Sequence, residues 1–331
     1  MIRVAINGFG RIGRHAFKVA WGKKNIQVVA INDLTETGVL AHLLKYDTAY
    51  PEFPAKVSHD SSNLLVGNKK IAAFAERDPG KLPWKKLKID VVIESTGVFR
   101  TREAAMAHVK AGAKKVIISA PAKGDDVPGY VRGVNCESYS GDVVVDNASC
   151  TTNCTAPVVM VLDKIFGIEK AMLTTIHSYT ADQNLQDGPH KDLRRARAAA
   201  ENIVPTSTGA AQATTKIIPH LAGKFDGLAV RVPTPTVSLT DFTFLLKRNT
   251  TVEEINKALT KASKTYLKGI LAVTQEQLVS SDFVGNPYSS IADLELTNVV
   301  DGNLVKVVAW YDNEWGYANR LVEMVAKVHK K

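Results

Sequence analysis

Val4-Ala5-Ile6-Asn7-Gly8-Phe9-Gly10-Arg11-Ile12-Gly13 is the stretch that decides the fold of this chain. Its first four residues read as a buried strand and a helical pattern begins near Arg11. Gly8, Gly10 and Gly13 therefore stand in G-x-G-x-x-G spacing at a strand-to-helix turn. The first glycine closes the turn, the second lets a pyrophosphate approach the backbone, and the third lets helix and strand pack closely. The amides of the helix N-terminus face the negative charge. A second strand, Ile26 to Asn32, leads to Asp33, 20 residues beyond Gly13. A carboxylate at that distance accepts both ribose hydroxyls of an adenosine and repels a 2′-phosphate. The residues Gly8, Phe9, Gly10, Arg11, Ile12, Gly13 and Asp33 thus predict a dinucleotide site that prefers NAD to NADP. The competing reading is a tight turn with no ligand, and the strand, helix and acid in their places count against it.

Outward from this turn, short β-branched strands recur at Asp90 to Ser95, Lys115 to Ser119 and Val143 to Asp146. Such runs suit a parallel sheet buried on both faces. An amphipathic helix from the N-cap Thr101 to the stop at Gly112 lies between two of them, which makes a βαβ series of Rossmann type. Leu64 to Ile71, with Gly67-Asn68 at its centre, reads as an antiparallel hairpin inserted into the series. Ligands in such sheets lie at the carboxyl ends of strands, so Ser95, Thr96, Gly97 and Ser119 are candidate lining residues.

After residue 150 the pattern changes to longer alternating strands such as Ser238 to Phe244, which suit a sheet with one wet face. Thr251-Val252-Glu253-Glu254 is a capping box opening a helix to about Tyr266. From Trp315 a last helix carries an apolar stripe through Leu321, Val322, Val325 and Val328. The fold class predicted is α/β: a Rossmann-type domain plus an α+β catalytic domain with a largely antiparallel or mixed sheet. The expected domains are 1–149 with 315–331, and 150–314, and 331 residues are enough for two cores.

Hydrophobic residues at 45% and charged residues at 23% place the chain in the ordinary globular range. It has no signal-peptide pattern and no apolar run near the ~20 residues that span a bilayer, so a cytoplasmic enzyme without membrane association is expected. Three cysteines in a chain this long suit free thiols in a reducing compartment rather than a disulfide framework. The net charge of +9 admits a nucleic-acid partner, but the basic residues are scattered and no aromatic-basic RNA motif accompanies them. A basic surface with sites for phosphorylated anions is the better account of that charge, and a nucleic-acid partner is not predicted.

Ser149-Cys150-Thr151-Thr152-Asn153-Cys154 follows the strand ending at Asp146. Cys150 is then expected at a helix N-terminus, where amides and the helix dipole lower a free thiol pKa of about 8.5 toward neutrality. Pro157 is expected to kink the early turns of that helix. The alternative is that Cys150 and Cys154 are both small buried residues on one helix face, and that reading is adopted for Cys154. A metal site is not expected, since there is no C-x-x-C pair and no second cluster. His177 closes a strand running from Ala171 and is a candidate base, although spacing alone leaves its distance from Cys150 open.

Five segments together resemble the phosphorylating glyceraldehyde-3-phosphate dehydrogenase family over essentially the whole chain. They are Asn7 to Arg14, Ala148 to Cys154, His177 to Thr180, Lys191 to Arg197, and Trp310 to Glu314. The resemblance implies Cys150 as nucleophile and His177 as base, with a thiohemiacetal and then a thioester that inorganic phosphate cleaves. It implies Thr180, Asp182, Arg195 and Arg231 as the site for the phosphate of glyceraldehyde 3-phosphate. Ser149, Thr151, Thr208 and Gly209 are implied as the site for inorganic phosphate. Asn313 and Tyr317 are implied at the nicotinamide, and Arg77 joins the residues that hold NAD. A homotetramer is implied too, with the loop from Ser178 to about Ala200 reaching a neighbour. Gly188 departs from the leucine that many NAD-dependent members carry, which relaxes the exclusion of NADP. An erythrose-4-phosphate dehydrogenase, which shares the fold and the cysteine, is the nearest alternative.

Overall fold

The computed structural model describes residues 1–330 and divides them into two compact units. The first unit comprises 1–130, 138–148 and the chain from Ala318 onward. Its elements begin with β1 (Ile2–Asn7), α1 (Arg11–Trp21), β2 (Ile26–Asn32), α2 (Thr37–Lys45), β3 (Val57–Asp60), β4 (Asn63–Val66) and β5 (Lys69–Phe74). They continue through α3 (Trp84–Leu87), β6 (Val91–Glu94), α4 (Arg102–Lys110), β7 (Lys115–Ile118) and β8 (Val144–Asp146).

The eight strands run in the order β3-β4-β5-β2-β1-β6-β7-β8. From β5 to β8 neighbouring strands are parallel, whereas β3, β4 and β5 form the antiparallel insert around Gly67. Residues of β1, β6 and β7 are almost wholly buried, as a sheet covered on both faces requires. The strand order reverses direction between β1 and β6, and the carboxyl ends of those two strands open the crevice where such folds take ligands. Thr101 caps α4, its hydroxyl accepting the Ala104 amide at 3.2 Å. The chain from Ala318 belongs to this unit, and Tyr139 donates to the Val328 carbonyl at 3.3 Å.

The second unit comprises 131–137 and 149–317. Segment 131–137 falls here rather than with its sequence neighbours, and Gly133 sits so close to Leu267 and Ile270 that a Cβ would be crowded. The elements are α5 (Cys150–Phe166), β9 (Ile168–Ser178), β10 (Val204–Ser207), α6 (Ala210–Ile217), β11 (Phe225–Val232) and β12 (Ser238–Leu246). After these come α7 (Val252–Lys264), β13 (Leu271–Thr274), β14 (Ser290–Val300), β15 (Leu304–Tyr311) and α8 (Trp315–His329), the last crossing into the first unit.

The seven strands are ordered β10-β11-β9-β12-β15-β14-β13. Most pairs are antiparallel, while β11 with β9 and β13 with β14 are parallel, so the sheet is mixed. Along β12 burial alternates strictly, which sends Phe242 and Phe244 into a core shared with Val158, Leu162 and Leu259 from α5 and α7. Pro157 lies inside α5, which continues as one helix from Cys150 to Phe166. The missing Pro157 amide costs a hydrogen bond, and close packing of the fully buried residues around it holds the helix together.

Candidate active site

Between β8 and α5 the chain turns at Ala148, whose φ of 54° places a residue with a Cβ in the left-handed region. The Asp146 carboxylate accepts the Ala148 amide at 2.8 Å and holds this turn, at a strain of order 1 kcal/mol. Ser149 then caps α5, its hydroxyl accepting the Thr152 amide at 3.0 Å. Cys150 follows as the first helical residue, half-buried.

His177 lies near the end of β9, in register with Arg231 on β11. Its Nε2 is 3.5 Å from the Cys150 Sγ, 27 residues away in sequence. Its Nδ1 is 2.7 Å from the Ser178 carbonyl. Arg231 donates to the same carbonyl at 2.9 Å and places its Nη1 2.8 Å from the ring nitrogen.

Burial pushes the pKa of His177 down to about 3, and the charge of Arg231 pushes it the same way. The imidazole is neutral at physiological pH. Burial also pushes the Cys150 thiol up, against a hydrogen bond from Thr151, the charge of Arg231 and the amides at the helix start. The expectation that the helix N-terminus alone brings this thiol toward neutrality is corrected: desolvation outweighs the dipole. What the structure holds is a neutral thiol whose Sγ lies 3.5 Å from the Nε2 of a neutral imidazole.

One turn further, Cys154 is fully buried and donates to the Ser290 hydroxyl at 3.5 Å. Burial drives its pKa to about 12, so it packs and does not ionise. Tyr311, on β15, is a residue whose part the sequence did not disclose. Its hydroxyl bridges Thr151 and Thr175, each at 2.9 Å, and its ring meets His177 edge-on at 6.0 Å. The only sequence signal was its place between Trp310 and Asn313; the 160 residues separating it from Thr151 hide the contact.

Asn313 is buried, and its Oδ1 accepts the hydroxyls of Ser178 at 2.9 Å and Ser238 at 3.0 Å. Those bonds fix the amide so that Nδ2 is the group it has to offer a ligand. Tyr317 is buried as well.

Arg195 donates to Thr206 at 3.0 Å, to the Ser207 carbonyl at 3.3 Å and to the Asp182 carboxylate. Thr206 and Ser207 lie on β10, the strand paired with the one bearing Arg231, and the charges of Arg231 and Arg195 both lower the pKa of His177. The Asp182 carboxylate pairs with the Arg195 guanidinium and orients it. Thr180 is half-buried, its amide donating to Gln183 at 3.3 Å. Thr208 accepts the Ala210 amide at 3.2 Å and Gly209 opens α6 with open space around its Cα. Among the described residues no group of three His, Cys, Asp or Glu is placed to hold a metal ion.

The first unit carries a cavity of about 410 Å³ at the crevice between β1 and β6, lined among others by Gly8, Gly10, Asp33, Arg77, Ser95 and Thr96. Its glycine turn fits a dinucleotide. Gly8 has φ of 88° and a Cβ there would lie 2.7 Å from the Ser95–Thr96 backbone, while one on Gly13 would strike the Gly8 carbonyl at 2.1 Å. Nothing approaches Gly10 within 4 Å, which leaves its backbone open to a ligand. Asp33 accepts the amides of Phe9 at 2.8 Å and Thr35 at 3.0 Å, and its oxygens retain lone pairs for ribose hydroxyls.

Other predicted cofactor residues frame this cavity without lining it. The ring of Phe9 packs edge-on against Phe17, Arg11 reaches Asp47 at 2.8 Å, Ile12 is half-buried in α1, and Gly13 brings that helix against the turn. Gly97, at φ of 75°, turns the chain after β6, and the Ser119 amide is tied to the Glu94 carbonyl at 2.9 Å.

A glycine-turn crevice that excludes side chains, in a chain that also sets a helix-opening thiol against a neutral histidine, fits a nucleotide-dependent dehydrogenase. Residues 2–102 match the family model for the NAD binding domain of glyceraldehyde 3-phosphate dehydrogenase, and residues 149–313 match that for its C-terminal domain. The chain is 53% identical to a glyceraldehyde-3-phosphate dehydrogenase of Geobacillus stearothermophilus, over all of this chain and 99% of the relative. Identity to glyceraldehyde-3-phosphate dehydrogenase 1 of Bacillus subtilis is 53% over the same shares, and to that of Mycobacterium avium 55% over 99% of each chain. The chain belongs to the glyceraldehyde-3-phosphate dehydrogenase family and is an NAD-dependent dehydrogenase.

Proposed function

We propose that Cys150 and His177 carry out the oxidation of D-glyceraldehyde 3-phosphate to 1,3-bisphosphoglycerate, in glycolysis or gluconeogenesis. The observation that supports this assignment is the 3.5 Å approach of a neutral Nε2 to the thiol. His177 takes the thiol proton as sulfur bonds to the aldehyde carbon, giving a thiohemiacetal whose oxygen the protonated ring then stabilises. Bound NAD supplies the hydride acceptor, and loss of hydride from that carbon leaves a thioester on Cys150. An oxygen of inorganic phosphate attacks the thioester, the C–S bond breaks, and the acyl phosphate departs from a restored thiolate.

Thr180, Asp182, Arg195 and Arg231 are assigned to the substrate-phosphate site, Asp182 through its ion pair with Arg195, because guanidinium groups make forked, charge-assisted bonds to phosphate oxygens. Ser149, Thr151, Thr208 and Gly209 are assigned to the incoming phosphate. Asn313 and Tyr317 are assigned to the nicotinamide, and the glycine turn, Asp33 and Arg77 to the rest of NAD. Asp33 favours NAD over NADP, and Gly188 leaves that preference short of absolute.

A homotetramer is part of the same reading. Leu185, Leu193 and Ile203 are each more than 70% exposed on the loop after β9, apolar surface that a neighbouring subunit would cover. Free Cys136, Cys150 and Cys154 support a reducing, cytoplasmic setting, and among the described residues no helix is long and apolar enough to cross a membrane. The deciding assay follows NADH formation from glyceraldehyde 3-phosphate and from erythrose 4-phosphate, with and without inorganic phosphate. Dependence on phosphate with preference for the three-carbon aldehyde is expected; turnover indifferent to phosphate, or favouring the four-carbon sugar, refutes the assignment.

A further inference from the structure

Glu94 closes β6 and is the register partner of Asn7 at the end of β1, so it stands at the point where the strand order reverses. It is 2% exposed, and each carboxylate oxygen receives two donors. Oε1 accepts the Thr96 amide at 2.9 Å and the Thr96 hydroxyl at 2.5 Å. Oε2 accepts the Asn7 amide nitrogen at 2.5 Å and His108 Nε2 at 3.0 Å. Behind it, the Trp84 indole donates to His108 Nδ1 at 3.0 Å, with both side chains fully buried. An indole nitrogen only donates, so Nδ1 must accept and the ring proton is held on Nε2, aimed at Glu94.

In front of it lies the glycine turn. The Ser95 hydroxyl donates to the Gly8 carbonyl at 2.7 Å, and Gly8 is pressed against the Ser95–Thr96 backbone too closely for any side chain. Asn7 in turn accepts from Asn32 at 2.7 Å, which ties in the end of β2 next to Asp33. The carboxylate thus grips both walls of the crevice, Thr96 by one oxygen and Asn7 by the other.

We propose that Glu94 is a positioning residue for NAD, holding the glycine turn in register with the Ser95–Thr96 wall, and that Trp84 and His108 keep its donors in place. The proposal rests on the reading of this crevice as the NAD site. Glu94→Gln keeps the shape but puts an amide NH₂ where one pair of donors already points. His108 has no freedom to accept from it while Trp84 occupies Nδ1. Relieving one buried donor-donor contact moves the turn, and a lost charge-assisted bond is worth about tenfold or more in binding.

The test is calorimetric titration of the purified enzyme with NAD, paired with steady-state kinetics. For Glu94→Gln a rise of at least tenfold in the NAD dissociation constant and in KM for NAD is expected, with kcat at saturating NAD within twofold. Trp84→Phe, remote from the cavity, is expected to weaken NAD about threefold. In the double variant it is expected to add nothing, since His108 is then free to switch its proton and accept. Unchanged NAD affinity in folded Glu94→Gln, or losses that multiply in the double variant, would overturn the proposal. Should Glu94→Gln not fold, Trp84→Phe decides alone: NAD affinity equal to wild type with a lowered melting temperature would mean a purely structural network. A wild-type enzyme that failed to bind NAD would instead overturn the reading of the crevice.

Discussion

Replacing Arg231 by glutamine separates two opposed actions of one charge on the Cys150–His177 pair. The guanidinium lowers the pKa of the thiol directly, and it also lowers the pKa of the imidazole that would share the thiol proton. Its Nη1 is 2.8 Å from His177 Nδ1, and Nε2 is 3.5 Å from Sγ, so with the ring between them the charge lies within about 8.5 Å of the sulfur. At an effective dielectric constant of about 20 that separation is worth about 2 kcal/mol, and about half of it with Cys150 partly open to water. The direct action is therefore roughly one pKa unit. The assay is the rate of carbamidomethylation of Cys150 by iodoacetamide as a function of pH, a neutral reagent being indifferent to the lost charge. The midpoint is expected to rise by about one unit in Arg231→Gln. Below the midpoint the thiolate fraction then falls about tenfold. Each thiolate becomes roughly threefold more nucleophilic as its basicity increases, so the observed rate falls only about three- to fourfold. A midpoint that stayed fixed or moved down would refute the reasoning, for it would mean that Arg231 acts chiefly by suppressing protonation of His177.

Tyr311→Phe removes the hydroxyl bridging Thr151 and Thr175 and is expected to cost about 1–3 kcal/mol, because buried hydroxyls lose a partner; a melting temperature within 1 °C of wild type, with ~1 °C taken as scan error against the ~2–4 °C expected per kcal/mol, would contradict this. For His177 the folded pKa lies below the unfolded value of 6.5, at about 3, so the unfolded chain takes up a proton that the native state refuses. Stability at this residue is thus intact above the unfolded value and declines as pH falls through the window from 6.5 to about 3, by about 1.4 kcal/mol per pH unit. Urea unfolding of His177→Asn is expected to show a shallower acid limb than wild type, and parallel limbs would count against it. Thr251→Ala deletes the cap whose hydroxyl accepts the Glu254 amide at 3.3 Å, and a loss of about 1 kcal/mol in the same experiment is expected; no loss would mean that packing of α7 carries its N-terminus unaided.

Local rules account for what the sequence by itself determined. The glycine turn, the capping hydroxyls of Thr101 and Thr251, and the hairpin at Gly67 each depend on neighbours within a few residues, and each stands in the structure where its spacing placed it. Burial alternation separated a two-face-covered parallel sheet from a one-face-covered mixed one for the same reason, since side chains alternate along any strand. The tertiary structure decided what depends on distant chain and on dielectric environment. A helix N-terminus predicted an acidic thiol, but the packing around Cys150 desolvates it and reverses the sign. Asp182 and Arg195 stand 13 residues apart in sequence, and only the fold shows their carboxylate and guanidinium paired. Tyr311 and Thr151 meet across 160 residues, and Glu94 meets Asn7 and His108 through strand pairing and helix packing. Proton placement in these clusters follows from which donors surround each acceptor, a property of three-dimensional packing that residue spacing does not encode.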